Sequence, residues 1–296
     1  MKKLFTVVLP AAVVAVGLAT TTAAANASTA PVWKTQYSTN FTASAKLGSF
    51  SGCSNGDGPG EATNLTDYTC TGLPSALQSQ WWAYPAGWED TAKSGQLGKY
   101  KVGGLYEPQQ TVSISGGMMV INEYNSGGYN HVAAVIPKAA IDKKYGRYIE
   151  TTRVTAAPTG YKSAHLLWPD NADTTAQQNS GAEIDFPEGD WNDAKANGGD
   201  AYAYFHPTGN GAQQSYNSGV LWSAWHTYEI DWTPTSLTVK VDGVTKGSTT
   251  KAAYVPQMNM DWIIQNESSL DGQTSAPGPH AQMEISHVEY DSYISG

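Results

Sequence analysis

The segment Thr227-Tyr228-Glu229-Ile230-Asp231-Trp232-Thr233-Pro234-Thr235-Ser236-Leu237-Thr238-Val239-Lys240-Val241-Asp242-Gly243 alternates apolar and polar side chains in two runs separated by a turn. Tyr228, Ile230 and Trp232 share one face of the first run, and Leu237, Val239 and Val241 share one face of the second. This two-residue period belongs to strands with one wet side. Thr233-Pro234-Thr235 supplies the intervening turn, and Gly243 tolerates the positive φ of the tight turn that follows. Strand, turn, strand, turn predicts an antiparallel meander. Elsewhere the chain is rich in Thr, Tyr, Trp and Val, with turn signals at short intervals and no sustained helical period. The prediction is an all-β protein of two packed antiparallel sheets, a sandwich or jelly roll.

Only 15% of residues are charged, yet Gly181-Ala182-Glu183-Ile184-Asp185-Phe186-Pro187-Glu188-Gly189 sets three carboxylates in an apolar, strand-like run. Neighbouring carboxylates repel one another, so at least one pKa must rise, and chemistry is the expected reason for such crowding. Glu183 and Asp185 share a strand face. Glu188 points away from it unless a bulge inserts one residue, and Pro187, which has no amide hydrogen to give a ladder, is suited to such a bulge. With the bulge, all three acids converge on one surface.

The pattern Glu183-Ile184-Asp185-Phe186-Pro187-Glu188 resembles the active-site signature of glycoside hydrolase family 16, the laminarinases, lichenases and agarases, in its bulged-strand form. The flanks resemble the same family: Tyr145-Gly146-Arg147-Tyr148 and His165-Leu166-Leu167-Trp168-Pro169-Asp170 upstream, the meander at 225–243 downstream, then Met258 to Asn266 and the closing strand from Met283 to Tyr290. The likeness runs from about Thr35 to Tyr293, loosely before Gly104. It implies a concanavalin-like jelly roll whose concave face holds the substrate.

The resemblance also implies roles. Glu183 is the expected nucleophile and Glu188 the general acid and then base of a retaining glycosidase, two carboxyls that must come within about 5–5.5 Å. Asp185 lies between them, where it can orient Glu183 and, by its charge, favour a proton on Glu188. Flat aromatic faces suit sugar rings. Trp168, before the acidic strand, and Trp191, three residues after the motif, are therefore candidates for the central subsites, whereas Trp222, Trp225 and Trp232 are expected to pack within the fold. Tyr204 and His206 are candidates for contacts to substrate hydroxyls. Asn266 matches an asparagine that faces the cleft in related enzymes, although the family's usual Asn-Leu is here Asn266-Glu267-Ser268. His287 and Glu289 are expected on the outer surface. No cofactor or metal is expected in catalysis; a structural calcium would be a family trait, with Asp291 a possible ligand but no acid in Tyr37-Ser38-Thr39-Asn40-Phe41.

The ends and composition set the setting. Met1 to Ala27 carries Lys2 and Lys3, an apolar run, and Ala25-Asn26-Ala27 as a cleavage site, which predicts a secretory signal peptide followed by a single catalytic domain at 28–296. Losing the two lysines takes the formal net charge from −9 to −11, a balance that disfavours nucleic acid and anionic membranes. A secreted, extracellular monomer acting on a polysaccharide is expected. Cys53 and Cys70 lie in a Gly/Asn/Asp-rich region and are expected to form a disulfide after export, without metal or redox partners nearby. With the family resemblance, these features imply an endo-acting retaining hydrolase of a neutral glycan, with β-1,3- or mixed β-1,3/1,4-glucan as the leading substrate. A galactan substrate, transglycosylation, and a non-catalytic sugar-binding jelly roll are the alternatives.

Overall fold

The meander forms as expected: residues 226–232 and 237–241 pair antiparallel, with Tyr228 opposite Val241 and Trp232 opposite Leu237. The computed structural model describes residues 30–56, 65–92, 103–169, 182–192, 199–270 and 275–295. The expected signal peptide lies outside the described residues. Chain contacts define a unit from Pro31 to Ser295; the other unit, Met1–Ala30 with Gly296, falls outside the described residues except for Ala30.

The strands in chain order are β1 (Val32–Thr39), β2 (Cys53–Ser54), β3 (Thr69–Cys70), β4 (Trp81–Ala83), β5 (Gly104–Tyr106), β6 (Val112–Ser115), β7 (Met118–Ser126), β8 (Tyr129–Pro137) and β9 (Gly146–Ala156). They continue with β10 (Tyr161–Pro169), β11 (Glu183–Asp190), β12 (Asp200–His206), β13 (Gln214–Leu221), β14 (His226–Trp232), β15 (Leu237–Val241), β16 (Val244–Thr249), β17 (Met260–Ser268) and β18 (His280–Ser295). One sheet runs β13-β12-β11-β10-β17-β8, and the other runs β7-β18-β9-β14-β15-β16 with β1 on β18 and β6 on β7. Apart from the parallel β5–β8 pair, the ladders are antiparallel. This is the jelly-roll sandwich.

Strand β8 belongs to both sheets. Tyr129, Asn130 and His131 pair with β7, whereas Ala133, Ala134 and Val135 pair with β17, and β4 covers its last residues. A strand that changes partners must be buried on both sides, and from Asn130 to Pro137 it is. Its sequence therefore shows no alternation.

Between the sheets the inward faces meet through aromatic rings. Trp262 of β17 packs edge-on against Tyr148 of β9 at 5.4 Å, and Phe186 of β11 against Tyr228 of β14 at 5.4 Å. Each ring is nearly or fully buried, and burial of such a side chain is worth about 1.5–3 kcal/mol relative to exposure. A polar chain crosses the same layer. His165 Nδ1 lies 2.5 Å from Glu150 Oε1, Ser163 Oγ donates to Asn266 Oδ1 at 2.6 Å, and Trp191 Nε1 donates to Ser163 Oγ at 2.8 Å. Buried polar groups of this kind are tolerated because they find partners. Trp222 and Trp232 are buried as expected, while half-buried Trp225 lies under the Arg153 guanidinium.

The Cys53–Cys70 disulfide forms, joining directly opposed residues of the small β2–β3 ladder. Among the described residues, no helix is long and apolar enough to cross a membrane.

Candidate active site

The acidic strand does carry a bulge. Against β10, Glu188 stands opposite Ala164 and Asp185 opposite Leu166; against β12, Glu188 stands opposite Tyr202 and Asp185 opposite Tyr204. On both sides β11 spends three steps where its neighbour spends two. The irregularity falls at Phe186-Pro187, whose peptide bond is cis. Ile184 and Phe186 point into the core, and Glu183, Asp185 and Glu188 share the opposite face. The same face presents Lys162, Ala164, Leu166 and Trp168 from β10, Ile263, Gln265 and Glu267 from β17, and Tyr202, Tyr204 and His206 from β12.

Two hollows open on this face. One, of about 410 Å³, is lined by Lys162, Glu188, Asp190, Tyr204, His206 and Gln213 among others. The other, of about 350 Å³, has Glu183 with Trp168, Tyr84, Trp88, Tyr106 and Gln265 in its wall. One nucleophile candidate and one acid candidate thus face open space on the same side of the sheet, beside aromatic rings that suit sugar faces.

The electrostatics follow from burial. Asp185 is 2% exposed. Its carboxyl is held well above the usual range, first by burial and then by repulsion from Glu188, against the pull of Lys162. Burial and then Asp185 push Glu183 up in the same way, with His206 working in the other direction. Two adjoining acids in a poorly solvated site do not both ionise freely, so the pair retains a proton where separate carboxylates have none. His206 Nε2 lies 3.2 Å from Asp185 Oδ2. Lys162 Nζ donates to Glu188 Oε1 at 3.0 Å and lies 3.3 Å from Glu267 Oε1. Although burial opposes its charge, Glu267 and Glu188 hold this ammonium above its ordinary pKa. Glu267 in turn accepts from Tyr106 Oη at 3.3 Å and from the Thr91 amide at 3.2 Å.

Trp168, Tyr204 and His206 stand in the walls of the hollows. Two candidates do not. Trp191 is 3% exposed and turns under the sheet, stacked on Tyr161 at 6.4 Å with its N–H given to Ser163. Asn266 is fully buried because its register opposite Ser163 places it on the inward face of β17. Its neighbours Gln265 and Glu267 take the groove side. Sequence reasoning passed over Lys162, Glu267, Tyr84, Trp88 and Tyr106; the replacement of Leu by Glu267 was the one visible sign. His287 and Glu289 lie half-exposed on the other sheet, 3.6 Å apart. Asp291 is buried, bonded to Thr35 and near Arg147. Among the described residues, Glu183, Asp185 and His206 are the group whose ligand atoms gather within 4.8 Å. The acid pair and its imidazole neighbour account for that grouping, and it carries no metal assignment.

A family model for glycosyl hydrolases family 16 matches residues 138–286, half of the chain and all three acids. The chain belongs to glycosyl hydrolases family 16. Structural likeness to solved members covers more of it. The laminarinase from Rhodothermus marinus is 18% identical with a TM-score of 0.62, over 90% of this chain and 99% of that one. The β-glucanase of Bacillus licheniformis is 18% identical with a TM-score of 0.54, over 72% and 92%. A LamA variant from Z. galactanivorans, in complex with laminaritriose and laminaritetraose, is 12% identical with a TM-score of 0.58, over 88% and 99%. At such identities the likeness shows the family 16 fold. No curated protein sequence matches the chain.

Proposed function

We propose that this family 16 protein is an endo-acting, retaining glycoside hydrolase that cleaves internal β-linkages of a neutral polysaccharide, with β-1,3- or mixed β-1,3/1,4-glucan as substrate. The observation that carries the reading is the convergence of Glu183, Asp185 and Glu188 on one open face through the β11 bulge. Glu183 attacks the anomeric carbon, and Glu188 gives its proton to the departing glycosidic oxygen, leaving a glycosyl ester on Glu183. Water then attacks the same carbon, loses a proton to Glu188, and frees Glu183. Asp185, against Glu183, orients it. The names of the solved relatives, laminarinases and β-glucanases, support a glucan.

The test is a panel of laminarin, lichenan, barley glucan, agarose and xyloglucan, read for reducing ends and for product size. Glucan cleavage to oligosaccharides is expected. Glu183→Gln is expected to lower turnover by about 10³-fold or more with the fold intact, and normal turnover in that variant overturns the assignment. Products longer than the starting glycan would mark transglycosylation, and binding without cleavage would mark a lectin. We further propose that Met1 to Ala27 is an export leader that places the enzyme outside the cell. N-terminal sequencing of protein recovered from the medium tests it.

A further inference from the structure

We propose that Lys162 and Glu267 form a positioning pair for Glu188, a carboxylate–ammonium–carboxylate row that fixes the acid/base side chain and sets the charge around it. The inference rests on the acid/base reading of Glu188.

The register builds the row. Lys162 stands opposite Glu267 on β17 and opposite Asp190 on β11, so the ammonium of a central strand lies between acids of both neighbours. Its side chain is 8% exposed and that of Glu267 1%, against 21% for Glu188. Glu267 is held by the Tyr106 hydroxyl and the Thr91 amide, so its position does not depend on Lys162 alone. The buried end of the row is thus anchored, and the end that faces the open hollow is Glu188.

The charges explain why both partners are needed. A lone ammonium 3.0 Å from a carboxyl favours its ionised form and works against a general acid. Glu267 offsets that field. When Glu188 carries its proton, the ammonium keeps a full partner in Glu267; when Glu188 has given it up, the ammonium is shared between the two. The row therefore accommodates both charge states of the acid/base group without leaving a buried lysine unpaired. Among the described residues, the other titratable groups around it include Glu183, Asp185 and Asp190 on β11, Tyr202, Tyr204 and His206 on β12, and Tyr106 on β5, with Asp90 and Glu123 acting on the Glu267 end. All remain in place in the variants below.

The test compares kcat/KM against pH for the wild type, Lys162→Met, Glu267→Gln and the double variant on a glycan that the wild type cleaves. The Glu188 carboxyl is titrated by ¹³C NMR in the same four proteins. Lys162→Met is expected to move the alkaline limb up by about one pH unit or more, Glu267→Gln to move it down, and the double variant to fall between the two. Lys162→Arg is expected to keep the wild-type limb. Coincident limbs and titrations in all folded variants overturn the proposal. Should a single variant not fold, the double variant, which removes both charges together, and Lys162→Arg still separate a charge effect from a packing one. A wild type that cleaves none of the glycans overturns the hydrolase reading instead, and the NMR titration then judges the row by itself.

Discussion

Glu183 stands opposite His206 across the β11–β12 ladder, and the imidazole that faces it lies 3.2 Å from Asp185 Oδ2. The ring thus lies against an acid pair that burial and mutual repulsion drive toward protonation, with Lys162 pulling on Asp185 from the other side. The imidazole field pulls Glu183 down while burial and Asp185 push it up. The nucleophilic role proposed for Glu183 requires its ionised form, so losing that field is expected to move the acidic limb of the activity profile to higher pH. His206→Ala is expected to show this shift together with a lower kcat/KM, while a unaltered acidic limb would limit His206 to substrate contact. The measurement is kcat/KM from pH 4 to pH 9 on a glycan that the wild type cleaves.

Glu123 supplies a stability prediction outside the site. It is fully buried, one oxygen accepting the Ala133 amide, and burial pushes its carboxyl well above the usual range. An acid raised in the folded state contributes stability that is complete below its unfolded pKa and is lost as pH rises through its folded one. Each pH unit in that window costs about 1.4 kcal/mol. Glu123→Gln removes the slope. Denaturant unfolding at pH 5 and pH 8 is expected to show the variant gaining on the wild type at the higher pH.

The two candidate subsite tryptophans are expected to separate. Trp191, buried and hydrogen-bonded to Ser163, should cost about 3–5 kcal/mol of stability on replacement by Ala. Trp168, half-exposed in the wall beside Glu183, should instead raise KM with little change in melting temperature. Thermal melts set beside Michaelis constants test the pair.

The disulfide makes a separable contribution. Cys53 and Cys70 are 17 residues apart, and a cross-link closing a loop of that size stabilises by about 3 kcal/mol in the chain-entropy view. The Cys53→Ala/Cys70→Ala double variant is expected to lose that amount in denaturant unfolding while keeping its glycan specificity, since the pair lines neither hollow beside the acids.

How far the sequence told the structure depended on whether a strand has a wet side. At Tyr228, Ile230 and Trp232 one face is buried and the other is not, so alternation fixed the phase of the strand. Pro187 marked the bulge because a missing amide hydrogen has few places in a ladder. On β17 both faces are covered from Met260 to Ile264, the run has no polar phase, and Asn266 was assigned to the wrong side. Trp191 failed for a related reason: a large aromatic after a strand looks the same in sequence whether it meets a sugar or Tyr161. Lys162 and Glu267 are far apart in the chain and meet by strand register alone, which no local pattern displays.

The surplus residue in β11 works like a shift of reading frame. Upstream of it, odd-numbered positions look out onto the open face; downstream, even-numbered ones do. The inward slot created at position 189 holds a glycine with φ 149°, where a Cβ would come within 2.9 Å of the Asp200 carbonyl. A deletion of one residue at Phe186-Pro187 would bring the pleat back into step and send the Glu188 side chain toward that crowded interior. The outward aim of this acid is thus set by a count of residues, and no point substitution could restore it.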